Sequence, residues 1–157
     1  MIEAELASNA GDERLVLSFG SRLDWQGEAA FEAEFRLLGR HFDADHEHHV
    51  SVVIDGLCLG VKPLCALRDA LSRWLTLPLT DLASSVLTGR HELCLGTRQC
   101  LQLAFGARTD TISGPNPVMT VLYRAGKLEG EYHLVTDQSC LGLFSEALGR
   151  ALQTATG

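Results

Sequence analysis

The chain has 157 residues, 46% hydrophobic and 21% charged, with a formal net charge of −7. That length suits one compact domain with a buried core, and that balance excludes a disordered or fibrous chain. The thirteen Lys and Arg are scattered singly against twenty Asp and Glu, leaving no basic stripe for a phosphate backbone, so nucleic acid is not an expected partner.

Residues 2–7 and 14–19 alternate weakly around Asn9-Ala10-Gly11-Asp12, the pattern of two strands joined by a turn. Phe31, Ala33, Phe35 and Leu37 alternate with Glu32, Glu34 and Arg36, which predicts a strand with one wet face. Phe31, Phe35 and Leu38 also fit a helical spacing, and that alternative stays open. Val50, Val52, Val53 and Ile54 predict a strand over 49–59, buried on much of both faces.

Pro63, at an expected first helical position, precedes Leu64, Leu67, Leu71 and Trp74, the stripe of an amphipathic helix that Pro78 ends. Trp74 belongs to that stripe and is expected in the core. Thr80 or Asp81 is expected to cap a short turn that Gly89 closes. Strands are predicted at 92–95, 99–105, 118–124 and 127–135, the last two joined at Ala125-Gly126. Thr136-Asp137 is a candidate cap for a second helix, striped by Leu141, Phe144, Leu148 and Leu152.

Strands outnumber helices and no β-helix-β alternation appears. The expected fold is a single α+β domain, a mostly antiparallel sheet with two main amphipathic helices packed on one side. Its parts are an acidic N-terminal β region (1–60), a helix (62–76), a β region (91–135) and a C-terminal helix (138–153). Cys-Leu-Gly recurs at Cys58, Cys94 and Cys140, but at unequal intervals, so no internal repeat is expected.

The five cysteines are an odd number without CxxC or zinc-finger spacing, and most sit beside leucines, as reduced thiols of a cytoplasmic protein do. The acidic N-terminus lacks the basic and apolar regions of a secretory signal, and no run approaches the roughly 18 apolar residues of a membrane span. The expectation is a cytoplasmic protein with no membrane partner and no cofactor.

Two strings could carry chemistry. Gly56-Leu57-Cys58-Leu59-Gly60 fits the G-x-C-x-G form of a nucleophile elbow, and Asp110 and His133 follow in the hydrolase order, which would make a small thiol hydrolase. No glycine-rich oxyanion loop precedes it, and Cys58 as a core residue at a strand end is the plainer expectation, so no enzyme is expected. The segment 41–49 packs His41, His46, His48 and His49 among Asp43, Asp45 and Glu47. His46 and His48 would share one side of a strand as weak metal-ligand candidates, whereas a solvated polar loop explains the composition as well. Imidazoles beside carboxylates would make any binding there sensitive to mild acid. His91 and His133 are isolated and read as local hydrogen-bonding residues.

Charge is distributed unevenly. Residues 1–55 hold twelve acids and four arginines, a net −8, while the remainder is +1. Such asymmetry favours association with a basic partner, although acids also keep a small domain in solution.

The order of elements from residue 51 onward resembles that of small immunity proteins of bacterial polymorphic-toxin systems, including the WapI-type group. The residues that carry the likeness are the strand 50–57; the helix around Leu64, Leu67, Leu71 and Leu75; Leu93-Cys94-Leu95-Gly96 with Leu101-Gln102-Leu103-Ala104-Phe105; and the hairpin ending Gly130-Glu131-Tyr132-His133-Leu134-Val135-Thr136-Asp137 before Leu141-Gly142-Leu143-Phe144. The resemblance implies a non-enzymatic protein that neutralises one cognate toxin by direct binding. The expected contact residues, chosen from the acidic third, are Trp25, Glu28, Glu32, Glu34, Asp43, Asp45 and Glu47, with acids steering encounter and the aromatic anchoring the complex. A homodimer is the default expectation for a small sheet with an open edge.

Overall fold

The structure is a computed structural model that describes residues 2–76, 90–108 and 116–156. The expected short turn at 80–89 and Asp110 lie outside the described residues. Four strands open the chain: β1 (Ile2–Ala7), β2 (Arg14–Trp25), β3 (Glu28–Asp43) and β4 (His46–Gly60), followed by α1 (Val61–Leu75). Four more follow, β5 (Arg90–Glu92), β6 (Gln99–Arg108), β7 (Asn116–Ala125) and β8 (Leu128–Val135), and α2 (Gln138–Thr156) closes the chain.

The α+β class is as expected, and all named strand pairs are antiparallel, but the strands divide into two four-stranded sheets, ordered β1-β2-β3-β4 and β5-β6-β7-β8. Among the described residues each sheet is an up-and-down meander followed by one helix. The chain thus repeats one topology twice, although its sequence shows no repeat.

The period of two at 31–37 did produce a strand, and the structure closes the helical alternative. In the first sheet Leu6, Leu15, Leu37 and Val52 form one inner row, and Ala4, Leu17, Phe35 and Ile54 the next. All but the half-buried Val52 are buried, and they join one apolar cluster with Leu64, Leu67, Leu71 and Trp74 of α1, Leu103, Phe105 and Val121 of the second sheet, and Leu141, Phe144 and Leu148 of α2. At about 25 cal/mol per Å² of apolar area removed from water, each such Leu or Phe contributes about 1.5–3 kcal/mol. Trp74 is 2% exposed, edge-on to Phe105 at 5.7 Å, as its stripe position predicts.

Local chemistry sets the element ends. Helix α1 begins at Val61, so Pro63 lies two residues inside the first turn, where its missing N–H costs no ladder bond. Asp137 caps α2, its Oδ1 accepting the Cys140 N–H at 2.7 Å. The β7–β8 turn is Gly126-Lys127, one residue later than expected, with Gly126 at φ 61°.

The sheets are stitched at two corners. Gly60 N–H donates to Leu93 C=O and Leu95 N–H to Cys58 C=O, both at 2.9 Å. At the other corner Thr136 Oγ1 donates to Ala7 C=O at 2.7 Å, and Asn9 N–H to Val135 C=O at 3.1 Å. Between the corners Tyr132 of β8 reaches into the first sheet: its hydroxyl accepts the Arg40 N–H at 2.9 Å and donates to the Glu13 carboxylate. Burial, then the Glu13 bond, pushes this phenol up to about 12. The ring lies against buried Gly39, where a Cβ would stand 2.6 Å from three of its atoms.

Candidate functional site

The same alternation that buries the inner rows turns a second set of residues outward. Outer rows of the first sheet run Glu5, Val16, Arg36, Val53 and Ala7, Arg14, Leu38, Ser51, with Glu3, Ser18 and Glu34 aligned beside them and Glu32 opposite Cys58. Val16 and Ser18 in the middle are buried beneath longer neighbours, while Leu38 and Val53 are 47% and 57% exposed.

Ion pairs occupy part of this face. Arg36 bridges Glu3 and Glu34 at 3.0 and 3.2 Å, and Arg14 meets Glu5 at 3.3 Å. Farther along the hairpin Arg40 meets Glu47 at 2.9 Å and pairs with Asp12 in the β1–β2 turn. Glu28, Glu32 and Asp55 are exposed and make no ion pair among the described residues. Exposed pairs of this kind are each worth about 0–1 kcal/mol, so their consequence is a patterned field more than stability.

The expected contact residues fall in two groups. Trp25 and Glu28 pair across the turn at one end of the β2–β3 hairpin, with Glu32 and Glu34 following along the strand. Asp43 pairs with His46 and Phe42 with Glu47 at the far end of β3–β4, and Asp45 sits in the turn between them. At about 3.3 Å per residue, Glu28 and the position opposite Glu47 lie about 45 Å apart along β3, so one compact patch cannot contain them all. Glu3, Glu5, Leu38, Val53 and Asp55 complete the outer face near Glu32 and Glu34. Only their side of the pleat, readable once register is known, marks them.

Segment 41–49 is a hairpin end and not the polar loop that its composition suggests: strand pairing runs to Asp43↔His46 around a two-residue turn, with Ala44 at φ 52°. Residues 46–49 are exposed on both faces. Among the described residues no three His, Cys, Asp or Glu side chains converge as a metal site.

Cys58 lies within β4 and not on a strand-to-helix elbow, for the strand continues to Gly60 and α1 starts at the next residue. Burial pushes its thiol up, against what a nucleophile needs. His133 is on β8, where Thr120 Oγ1 meets its Nδ1 at 3.1 Å and Glu131 its Nε2 at 3.4 Å. It is therefore a locally bonded histidine of the second sheet. His91 stacks on Phe105 at 6.3 Å, and burial, then Arg73, lowers its pKa.

Trp25 is 37% exposed and packs over Gly96, forming with Gln26, Gly56, Cys58 and Arg98 a cleft of about 600 Å³ beside the outer face. At the opposite edge, a groove of about 480 Å³ runs between β1 and α2, lined by Glu3, Glu5, Arg14, Leu143, Ala147 and Arg150. Leu143 projects there at 65% exposure.

No family model matches the chain, and no curated protein matches it. Among solved structures it is similar to the plant transcriptional regulator PBF-2, at 10% identity and a TM-score of 0.45, over 100% of this chain and 84% of that one. No helix among the described residues is long and apolar enough to cross a membrane.

Proposed function

We propose that the chain is an immunity-type binding protein that neutralises a cognate protein toxin by docking it on the outer face of the first sheet. The observation that carries the reading is that face itself, where Glu28, Glu32 and Asp55 stand without ion-pair partners among the described residues and Leu38 and Val53 are exposed farther along it. A basic protein surface complements it: unpaired carboxylates steer the approach, and Leu38, Val53 and Trp25 offer apolar area to a seated partner. The residual negative charge is concentrated in strands whose inner rows are fixed by the core, so the surface is held ready before binding and little ordering cost attaches to it.

The test is neutralisation. Co-expression with a toxin domain encoded beside this chain should restore growth and yield a complex that co-purifies. Reversing Glu28 and Glu32 to Lys should weaken both, while circular dichroism and melting stay as in the unaltered protein. Full neutralisation by a folded charge-reversed protein would refute this docking face.

A further inference from the structure

Strand β4 lies at an edge of the first sheet, and from His46 to Leu57 no strand pairs with its far side among the described residues. Only at Cys58 and Gly60 do Leu95 and Leu93 close on it. A two-residue turn joins β3 to β4 at Asp43↔His46, so the hydrogen-bonded pairs to β3 fall on His46, His48, Val50, Val52 and Ile54. The backbone N–H and C=O of Glu47, His49, Ser51 and Val53 therefore point away from the sheet. Neither Pro nor Lys interrupts this run, in which Val53 is exposed and Val50 and Val52 are half-buried. An edge so long and so rich in β-branched residues is a template for another strand.

We propose that the chain forms a two-fold dimer by antiparallel pairing of β4 with the β4 of a second copy, with Val52 at the axis. This register pairs Ser51 with Val53, His49 with Asp55 and Val50 with Ile54 across the two copies. On the inner face it sets valine and isoleucine against their like, covering the flanks of Val50 and Val52. On the outer face it sets each imidazole opposite a carboxylate, and the two Ser51–Val53 pairs supply about four backbone hydrogen bonds.

Charge selects the register. With Ser51 at the axis, Glu47 of each copy would oppose Asp55 of the other, and with Val50 at the axis, His48 would oppose Val52. The other edges suit a second copy less well. Strand β5 has three residues, β1 would bring Glu3 and Glu5 carboxylates together, and β8 is held to the first sheet at Val135 and Tyr132. Pairing at β4 joins the two first sheets into one of eight strands.

Sedimentation velocity of the full-length chain alone, across dilution, reads the mass, and amide hydrogen exchange reads the edge. The expected result is a dimer that dissociates on dilution, with the Ser51 and Val53 amides protected in the dimer and exchanging freely in the monomer. Ser51→Pro removes an N–H that β3 does not use, and should raise the dissociation constant at least about tenfold with circular dichroism unchanged. His49→Glu opposes two carboxylates twice in the dimer and should weaken it about tenfold, and Asp55→Lys in the same chain should restore it. A chain that stays monomeric at every concentration, a dimer that both Ser51→Pro and His49→Glu leave intact, or a loss that Asp55→Lys fails to restore would each overturn the proposal. So would Ser51 and Val53 amides that gain protection only when a toxin is bound, which would give the edge to the toxin.

Discussion

Replacing Gly39 by Ala should be costly although Ala is the smallest possible addition. The new Cβ would stand 2.6 Å from Cε2, Cζ and Oη of Tyr132, whereas such atoms pack best about 3.5–4.0 Å apart. The ring cannot retreat freely, because its hydroxyl is tied to the Arg40 N–H at 2.9 Å and to Glu13. Overpacking of this kind costs about 1–3 kcal/mol, and surrender of the hydroxyl's bonds adds about 1 kcal/mol, giving about 2–4 kcal/mol in all. For a domain of this size that is a fall of roughly 4–16 °C in melting temperature. Urea unfolding followed by circular dichroism measures it. The decisive comparison is Gly39→Ala in a Tyr132→Ala background, where the added methyl meets no ring and should cost under about 0.5 kcal/mol. A small loss in the single variant, or strict additivity of the two changes, would show that Tyr132 does not press on Gly39.

Trp74→Ala should lower stability by about 3–5 kcal/mol, measured by the same unfolding curves, since it empties the contact between α1 and Phe105. Alkaline titration should also reveal Tyr132. Its folded pKa is raised to about 12 from 10.0, so the stability it contributes is complete below about pH 10 and is lost as pH rises toward 12. Tyr132→Phe should flatten the pH dependence of melting in that window without abolishing it, because Cys94 and Cys100, also raised, are lost in an overlapping range. Glu32→Lys should leave stability within about 0.5 kcal/mol yet slow association with a basic toxin by about tenfold at low salt, an effect that stopped-flow mixing should see shrink at high salt.

Much of this architecture was legible in side-chain periodicity. Phe31 to Leu37 alternate because one sheet face meets a core and the other meets water, and Leu64 to Trp74 recur at three and four because one helical stripe is buried. The division into two sheets was not legible, since no residue type marks where one ladder ends and another begins. The doubled topology was hidden for a related reason: each half fills the shared cluster with different side chains, and pairing geometry, not identity, is what recurs. Segment 41–49 misled because polar composition normally marks a loop, whereas here strand pairing runs on to Asp43 and His46, and residues 46–49 are exposed on both faces.

The candidate surface was half legible. Glu32 and Glu34 were recoverable because alternation at 31–37 assigns them a face, but Glu3, Glu5 and Val53 join them only through register, a property of strand partners and not of any one segment. Asp43 and Asp45 were grouped with them by closeness of charge along the chain, which a 16-residue strand stretches into distance.

The separation of inner from exposed outer positions in the first sheet separates two kinds of heritable change. Substitutions at Leu17, Phe35 or Ile54 are judged by folding, whereas those at Glu32, Leu38 or Val53 leave the framework alone and are judged by what the molecule meets. If the outer face is the docking surface proposed above, it could therefore be rewritten residue by residue, with the scaffold beneath passing through each step unaltered.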